Sequence, residues 1–371
     1  MENKPKKPIP YGSNSLRLSP KELLLVVALT VLAAFVASSL WYRLAFEADP
    51  MAGYPDDHFR FSYAYRDDYC LYNKVVDKSG RYDAIFLGDS VIWGMYVNNE
   101  STLTECLNRR TGRHYGNLAI DGLHPVAMRT LVKEHTGNLG IGEQPIFLYF
   151  NPLWVNTPEY DLTGNGDISV NHPKLLPLLD FSIKANKLSL SERCKALLER
   201  KLTFYGMLRH LQLVSFGNKD LKSFLAKNPG TNPLKNIHVL VDALEHGHTL
   251  NSKIDWYNSG LPEQDWPWVK PADSRQWKAF LDTCSILQKR GTKLTVLLGA
   301  INTHMLTKES AERFAVLREE HHKILNELNI KTIELPVLPS NEYGDASHPL
   351  APGYERLAEF LAEQIQRGDD K

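Results

Sequence analysis

The 371-residue chain has no net charge, since 43 lysines and arginines balance 43 aspartates and glutamates. Nothing in that balance suggests the basic surface that phosphate-backbone binding needs, so nucleic acid is not an expected partner. Cysteine is scarce: Cys70, Cys106, Cys194 and Cys284 are widely spaced, with no CxxC and no Cys/His cluster. That spacing indicates no metal site, and His246 and His248, flanking one glycine in a polar stretch, read as surface residues. There is no HExxH and no phosphate-loop pattern, so metalloprotease and nucleotide chemistry find no support and no cofactor is expected. Internal repeats and low-complexity tracts are also missing. What remains is an ordinary globular composition, 43% hydrophobic and 23% charged, long enough for one large core with or without a sizeable insertion.

One long apolar run is present. Leu23 to Tyr42 carries no charge, and about 20 such residues can cross a bilayer as one helix. Lys4, Lys6, Lys7, Arg17 and Lys21 precede it, while Glu47, Asp49, Asp56 and Asp57 follow. The basic flank is expected to stay cytoplasmic, so the rest of the chain lies outside, with Trp41 and Tyr42 at the far interface. A cleaved signal peptide is the rival reading, because Ala37-Ser38-Ser39 offers small residues. Signal-peptide apolar cores run only about 7–15 residues, which favours an uncleaved anchor. In that compartment one or two disulfides are open to the four cysteines, with no pairing determined.

The organisation that follows is a cytoplasmic tail over 1–22, an anchor over 23–42 and a stalk and lead-in over 43–80. From Tyr82, short apolar runs alternate with amphipathic segments. Ala84–Leu87, Tyr115–Ile120, Ile146–Phe150, Leu294–Leu298 and Thr332–Leu335 read as strands covered on both faces. Phe314, Leu317, Ile324, Leu325 and Leu328 share one helical face, as do Tyr354, Leu357, Ala358, Leu361 and Ile365. This predicts an α/β fold with a three-layer α/β/α, flavodoxin-like parallel sheet, split into halves at 81–152 and 273–367. Residues 153–272 break the alternation and read as a partly helical insertion over the active-site edge.

Two local patterns carry chemistry. Gly88-Asp89-Ser90 ends the first strand, where ligands bind in parallel sheets; the amides of a helix beginning there can hold an oxyanion. Asp345-Ala346-Ser347-His348-Pro349 lies near the far end of the chain, with Pro349 and Pro352 suited to a helix start. Three residues apart, Asp345 can orient the His348 imidazole, and His348 can take the Ser90 proton. Each half has an ordinary structural reading, as a capping serine and as a turn aspartate beside a surface histidine.

Together these blocks resemble the SGNH (GDSL-type) hydrolase superfamily. Phe86-Leu87-Gly88-Asp89-Ser90 with Trp93-Gly94 and Val97 resembles its first block, and Asn117 to Gly122 its second. The segment from Asp345 through Gly353 and Ala358 resembles its last. The resemblance implies Ser90 as nucleophile, His348 as base, Asp345 as its orienter, and the Ser90 and Gly122 amides in an oxyanion hole. Asn151 would complete that hole. The third block departs here: Tyr149 replaces the family's glycine and Pro152 its aspartate. The likeness spans about residues 82–152 and 293–366.

An anchor joined to such a domain looks like the proteins of alginate and peptidoglycan O-acetylation and of teichoic-acid D-alanylation. The function expected is a membrane-anchored, extracytoplasmic serine esterase or O-acyltransferase. Its substrate would be an acylated cell-envelope glycan, with a membrane acyl-transfer partner. A non-catalytic polysaccharide-binding protein and a lipase or thioesterase are the alternatives. Trp256, Tyr257, Trp266, Trp268 and Trp277 are candidates for sugar stacking or for core and lid packing. Asn302 and His304 are expected beside the pocket, as loop residues.

Overall fold

The computed structural model describes residues 18–46, 60, 68–77, 79–135, 139, 144–164, 177, 178, 180–183, 189–216, 219–237 and 260–369. Five strands form one all-parallel sheet in the order β2-β1-β3-β4-β5. They are β1 (Ala84–Leu87), β2 (Tyr115–Asn117), β3 (Ile146–Phe150), β4 (Leu294–Leu298) and β5 (Lys331–Glu334). The chain leaves β1 for β2 on one side and returns to β3 on the other. That makes the gap between β1 and β3 the topological switch point, where such sheets bind ligands.

Alternate strand residues face opposite ways. Ile85, Leu87, Ile146, Leu148 and Val296 enter one core cluster; Ala84, Phe86, Phe147, Tyr149 and Leu297 enter another. Helices α2 (Tyr69–Asp77), α5 (Pro125–Thr130), α9 (Arg275–Lys289) and α10 (Lys308–Glu327) cover the first face. Helices α4 (Leu103–Thr111) and α11 (Ala351–Asp369) cover the second. Both faces are therefore apolar and dry, which is why the central strands read as unbroken hydrophobic runs.

Element ends differ from the sequence reading in small ways. The second strand stops at Asn117 and not at Ile120, because the Asn117 side chain turns back to accept from Ala119 N at 3.2 Å. The last strand begins at Lys331 and ends before Leu335. Leu328, grouped with the buried face of α10, is 48% exposed where that helix ends.

Cys106 and Cys284 are buried on opposite faces of the sheet, and Cys194 is exposed; all three are free. The disulfides that the sequence left open do not form among these three, and a five-strand sheet separates the two buried thiols. The aromatic cluster divides as well. Trp277 stacks on Phe280 in the core, and Trp268 stacks on Phe314 while donating to Ser310 O at 3.0 Å. These two serve packing and not sugar binding; Trp256 and Tyr257 lie outside the described residues, as do His246 and His248.

The insertion contains α6 (Leu190–Lys201), α7 (Thr203–Phe216) and α8 (Leu221–Lys227). A Ser189/Glu192 capping box starts α6, and extended backbone at Leu202 separates it from α7. Helix α7 packs on α2 and on the apolar N-terminal helix α1 (Pro20–Phe46). A buried Asp68–His210 contact of 2.6 Å pins α7 to the start of α2. At the other end, Asp161 accepts from Arg275 N and Gln276 N at 2.9 and 3.1 Å, so the insertion's entry caps α9 at its exit. Over Pro20–Leu40, α1 is long and apolar enough to cross a membrane, which makes it a candidate anchor.

Candidate active site

The first strand ends in Gly88, where there is no room for a side chain. An added Cβ would meet Ile92 Cγ1 at 2.7 Å and Tyr149 Cβ at 3.0 Å. Asp89 then caps the short helix α3 (Ser90–Trp93), its carboxylate accepting from Val91 N at 3.0 Å. Ser90 occupies the first helical position, whose amide has no acceptor within the helix. The expected strand–turn–helix setting is thus present, with close packing as the reason for glycine.

His348 Nε2 lies 2.7 Å from Ser90 Oγ, and His348 Nδ1 lies 2.7 and 2.8 Å from the two Asp345 oxygens. The structure therefore brings together residues separated by 258 positions. Asp345 also holds its own turn, accepting from Ser347 N and His348 N at 3.0 Å each. Burial pulls the His348 pKa down. The Asp345 carboxylate, with Asp89 nearby, more than offsets this and leaves it above the ordinary histidine value. Burial pushes Asp345 up, but the His348 charge and the turn's hydrogen bonds bring it well below the usual carboxylate range. A serine hydroxyl, an imidazole and a carboxylate in this line can pass a proton off the hydroxyl as it becomes a nucleophile.

Gly122 sits in the loop after β2 at φ 77°, a conformation that favours glycine. Ile120 N donates to Gly88 O at 3.2 Å, which ties this loop to the turn that carries Ser90. Asn151 leaves the carboxyl end of β3, across the switch point from Ser90. Its Nδ2 donates to Asp89 Oδ2 at 2.9 Å and lies 3.4 Å from Ser347 Oγ. Its Oδ1 accepts from Leu153 N at 3.0 Å and caps the turn that Pro152 opens. The departures in the third block thus have a physical account: Tyr149 is a buried core residue lying against Gly88 and Gly299, and Pro152 starts a 3₁₀ turn.

Several residues of the site were not singled out from sequence. Asp89 is buried and accepts from Val91 N, Asn151 Nδ2 and Trp154 Nε1, the last at 2.8 Å. Burial raises its pKa, and these donors with the His348 charge partly counter that. Tyr96 donates to Asp345 Oδ2 at 3.0 Å and meets the His348 ring edge-on. Arg60 donates to Gly94 O and Val97 O at 2.9 and 3.0 Å and covers the Trp93 ring, bracing the loop behind α3. Only the positive φ of Tyr96 is a local signal, and sequence does not display it. Asn302, expected at the pocket border, is fully buried and its backbone N–H donates to Ala346 O at 2.8 Å, beneath the Asp345–His348 turn. His304 is exposed. Among the described residues, no group of three His, Cys, Asp or Glu side chains is placed to hold a metal ion.

Neither family models nor curated proteins match this chain.

Proposed function

We propose that this chain is an SGNH-type serine esterase or O-acyltransferase, held by α1 at a membrane, with its catalytic domain on the extracytoplasmic side. Its substrates are acyl esters of a cell-envelope polysaccharide. The observation that carries the reading is the unbroken Ser90–His348–Asp345 line, with 2.7 Å at both junctions.

In this reaction Ser90 Oγ attacks the ester carbonyl while its proton passes to His348 Nε2. The tetrahedral oxyanion is held by the Ser90 and Gly122 amides, joined by the Asn151 hydrogen that now faces Ser347. Collapse breaks the ester C–O bond, and His348 returns the proton to the departing alcohol. An acyl-enzyme on Ser90 remains. Water or a sugar hydroxyl then attacks it, giving up a proton to His348, and Ser90 is regenerated. Hydrolysis and transfer differ only in which acceptor reaches the acyl carbon, which water exclusion and acceptor positioning decide.

The test is acetyl release from p-nitrophenyl acetate together with labelling by a fluorophosphonate probe. The parent should react and Ser90→Ala should do neither. Equal ester turnover by parent and Ser90→Ala would sink the assignment, as would absence of label on folded parent. Adding an unacylated glycan acceptor separates the two chemistries, since a transferase then forms glycan ester in place of free acetate.

A further inference from the structure

Helix α1 does not stand apart from the domain. A groove separates its second half from the α6–α7 corner, with Val31, Phe35 and Ser39 on one wall and Leu202, Thr203 and Phe204 on the other. Beside that corner, α6 turns an apolar stripe outward: Leu190, Leu197, Leu198 and Leu202 are 79, 46, 40 and 49% exposed. Cys194, also exposed, lies one turn from both Leu190 and Leu197 on this stripe. Among the described residues outside α1 and Leu18, nine of the fourteen exposed large apolar side chains fall between Leu190 and Ile237. Patches of that kind mark interaction sites. The same segment, 189–237, carries nine basic residues against three acidic ones in a chain that is neutral as a whole.

We propose that α6 and the α6–α7 corner form a second, interfacial membrane attachment, seated in the headgroup and upper acyl region of the bilayer that α1 crosses. This rests on α1 being the anchor. Phe35, on the same groove wall, lies about 8 Å along the helix from Leu40 at about 1.5 Å per residue, in the outer half of a roughly 30 Å hydrocarbon layer. Lipid that coats the outward residues of α1 at that depth therefore reaches Leu202, which lines the same groove. The corner cannot stay clear of the acyl chains while α1 spans. An apolar stripe flanked by lysines and arginines is the composition that binds anionic interfaces. The consequence is positional: two attachments hold the domain against the bilayer, where one helix alone would leave it on a pivot.

The experiment places the full chain in phosphatidylethanolamine/phosphatidylglycerol vesicles with an environment-sensitive nitrobenzoxadiazole probe on Cys194. A Cys194→Ser preparation corrects for label elsewhere. A probe on Val316→Cys in that background, exposed on α10, serves as the aqueous control. The expected result is blue-shifted emission at Cys194 that lipids brominated high in the acyl chain quench, with neither effect at Val316→Cys. Aqueous, unquenched emission at Cys194 in vesicles that retain the chain through carbonate washing would overturn the proposal and leave the anchor intact. Loss of the chain on washing would overturn both. A shift that requires other membrane proteins, absent in pure lipid, would assign the stripe to a protein partner and overturn it as well.

Discussion

Tyr96 donates its hydroxyl to Asp345 from a backbone held at φ 68°. The residue is not glycine, so this conformation is strained, and the strain sits one hydrogen bond from the triad. Gly344 accommodates it: a Cβ there would meet the Tyr96 ring at 2.5 Å. Under the proposed function, Tyr96 would act through Asp345 as a positioning residue. Tyr96→Phe removes one donor from the carboxylate, a loss of about 1 kcal/mol or roughly five-fold in rate. The fall should appear in kcat with little change in KM. It should be accompanied by a rise in the pH of the acid limb, as Asp345 concentrates its charge on His348. A merely structural role would leave that limb where it was.

The pH dependence follows from His348. Its pKa is raised above 6.5, and only the neutral imidazole can accept the Ser90 proton. Activity should therefore fall as pH drops through a value above 6.5. Asp345→Asn takes away the charge that raises His348, so burial dominates and the limb moves to lower pH. The rate should also fall by about 10⁴, as in triads whose acid becomes an amide. A kcat/KM profile of both proteins checks this; an unmoved limb would remove Asp345 from the relay.

Asp89 is the second buried acid of the site, and Trp154 supplies one of its three hydrogen bonds. Trp154→Phe keeps most of the packing and removes only the donor. It should cost about 1–3 kcal/mol in urea unfolding, the penalty for leaving a buried acceptor short of a partner. A change near zero would mean that Asn151 and Val91 suffice.

Gly88→Ala tests close packing beneath Ser90. With Ile92 Cγ1 2.7 Å from the new methyl group, overpacking should cost about 1–3 kcal/mol. Adding Ile92→Val removes the δ-methyl but keeps Cγ1, so it should restore little. Adding Ile92→Ala should restore more of the turn geometry, seen as recovered fluorophosphonate labelling. Full labelling by Gly88→Ala alone would show that the turn yields without cost.

Some of this was readable in residue order because the physics is local. The apolar runs of β1, β3 and β4, the uncharged stretch from Leu23 and the three-residue step from Asp345 to His348 each depend on neighbours within about one turn or strand. Asn151 was legible as a candidate but not in its partner, since the Asp89 carboxylate that receives its amide lies 62 positions away. The same distance problem hid Tyr96, Trp154 and Arg60, whose contacts cross 249, 65 and 34 positions. The aromatic group around Trp268 and Trp277 was ambiguous for another reason: amphipathic rings suit a core and a sugar equally, and only burial separates the two uses.

The residue order by itself determined where strands and helices form and which side chains have the chemistry of a nucleophile and its base. It did so because hydrophobic period and turn chemistry act over a few residues. Tertiary structure alone decided that Ser90 and His348 meet across 258 positions, and that the apolar stripe of α6 faces outward beside α1. Both depend on how the parallel sheet is wound and covered, and that is settled by the packing of elements far apart in the chain.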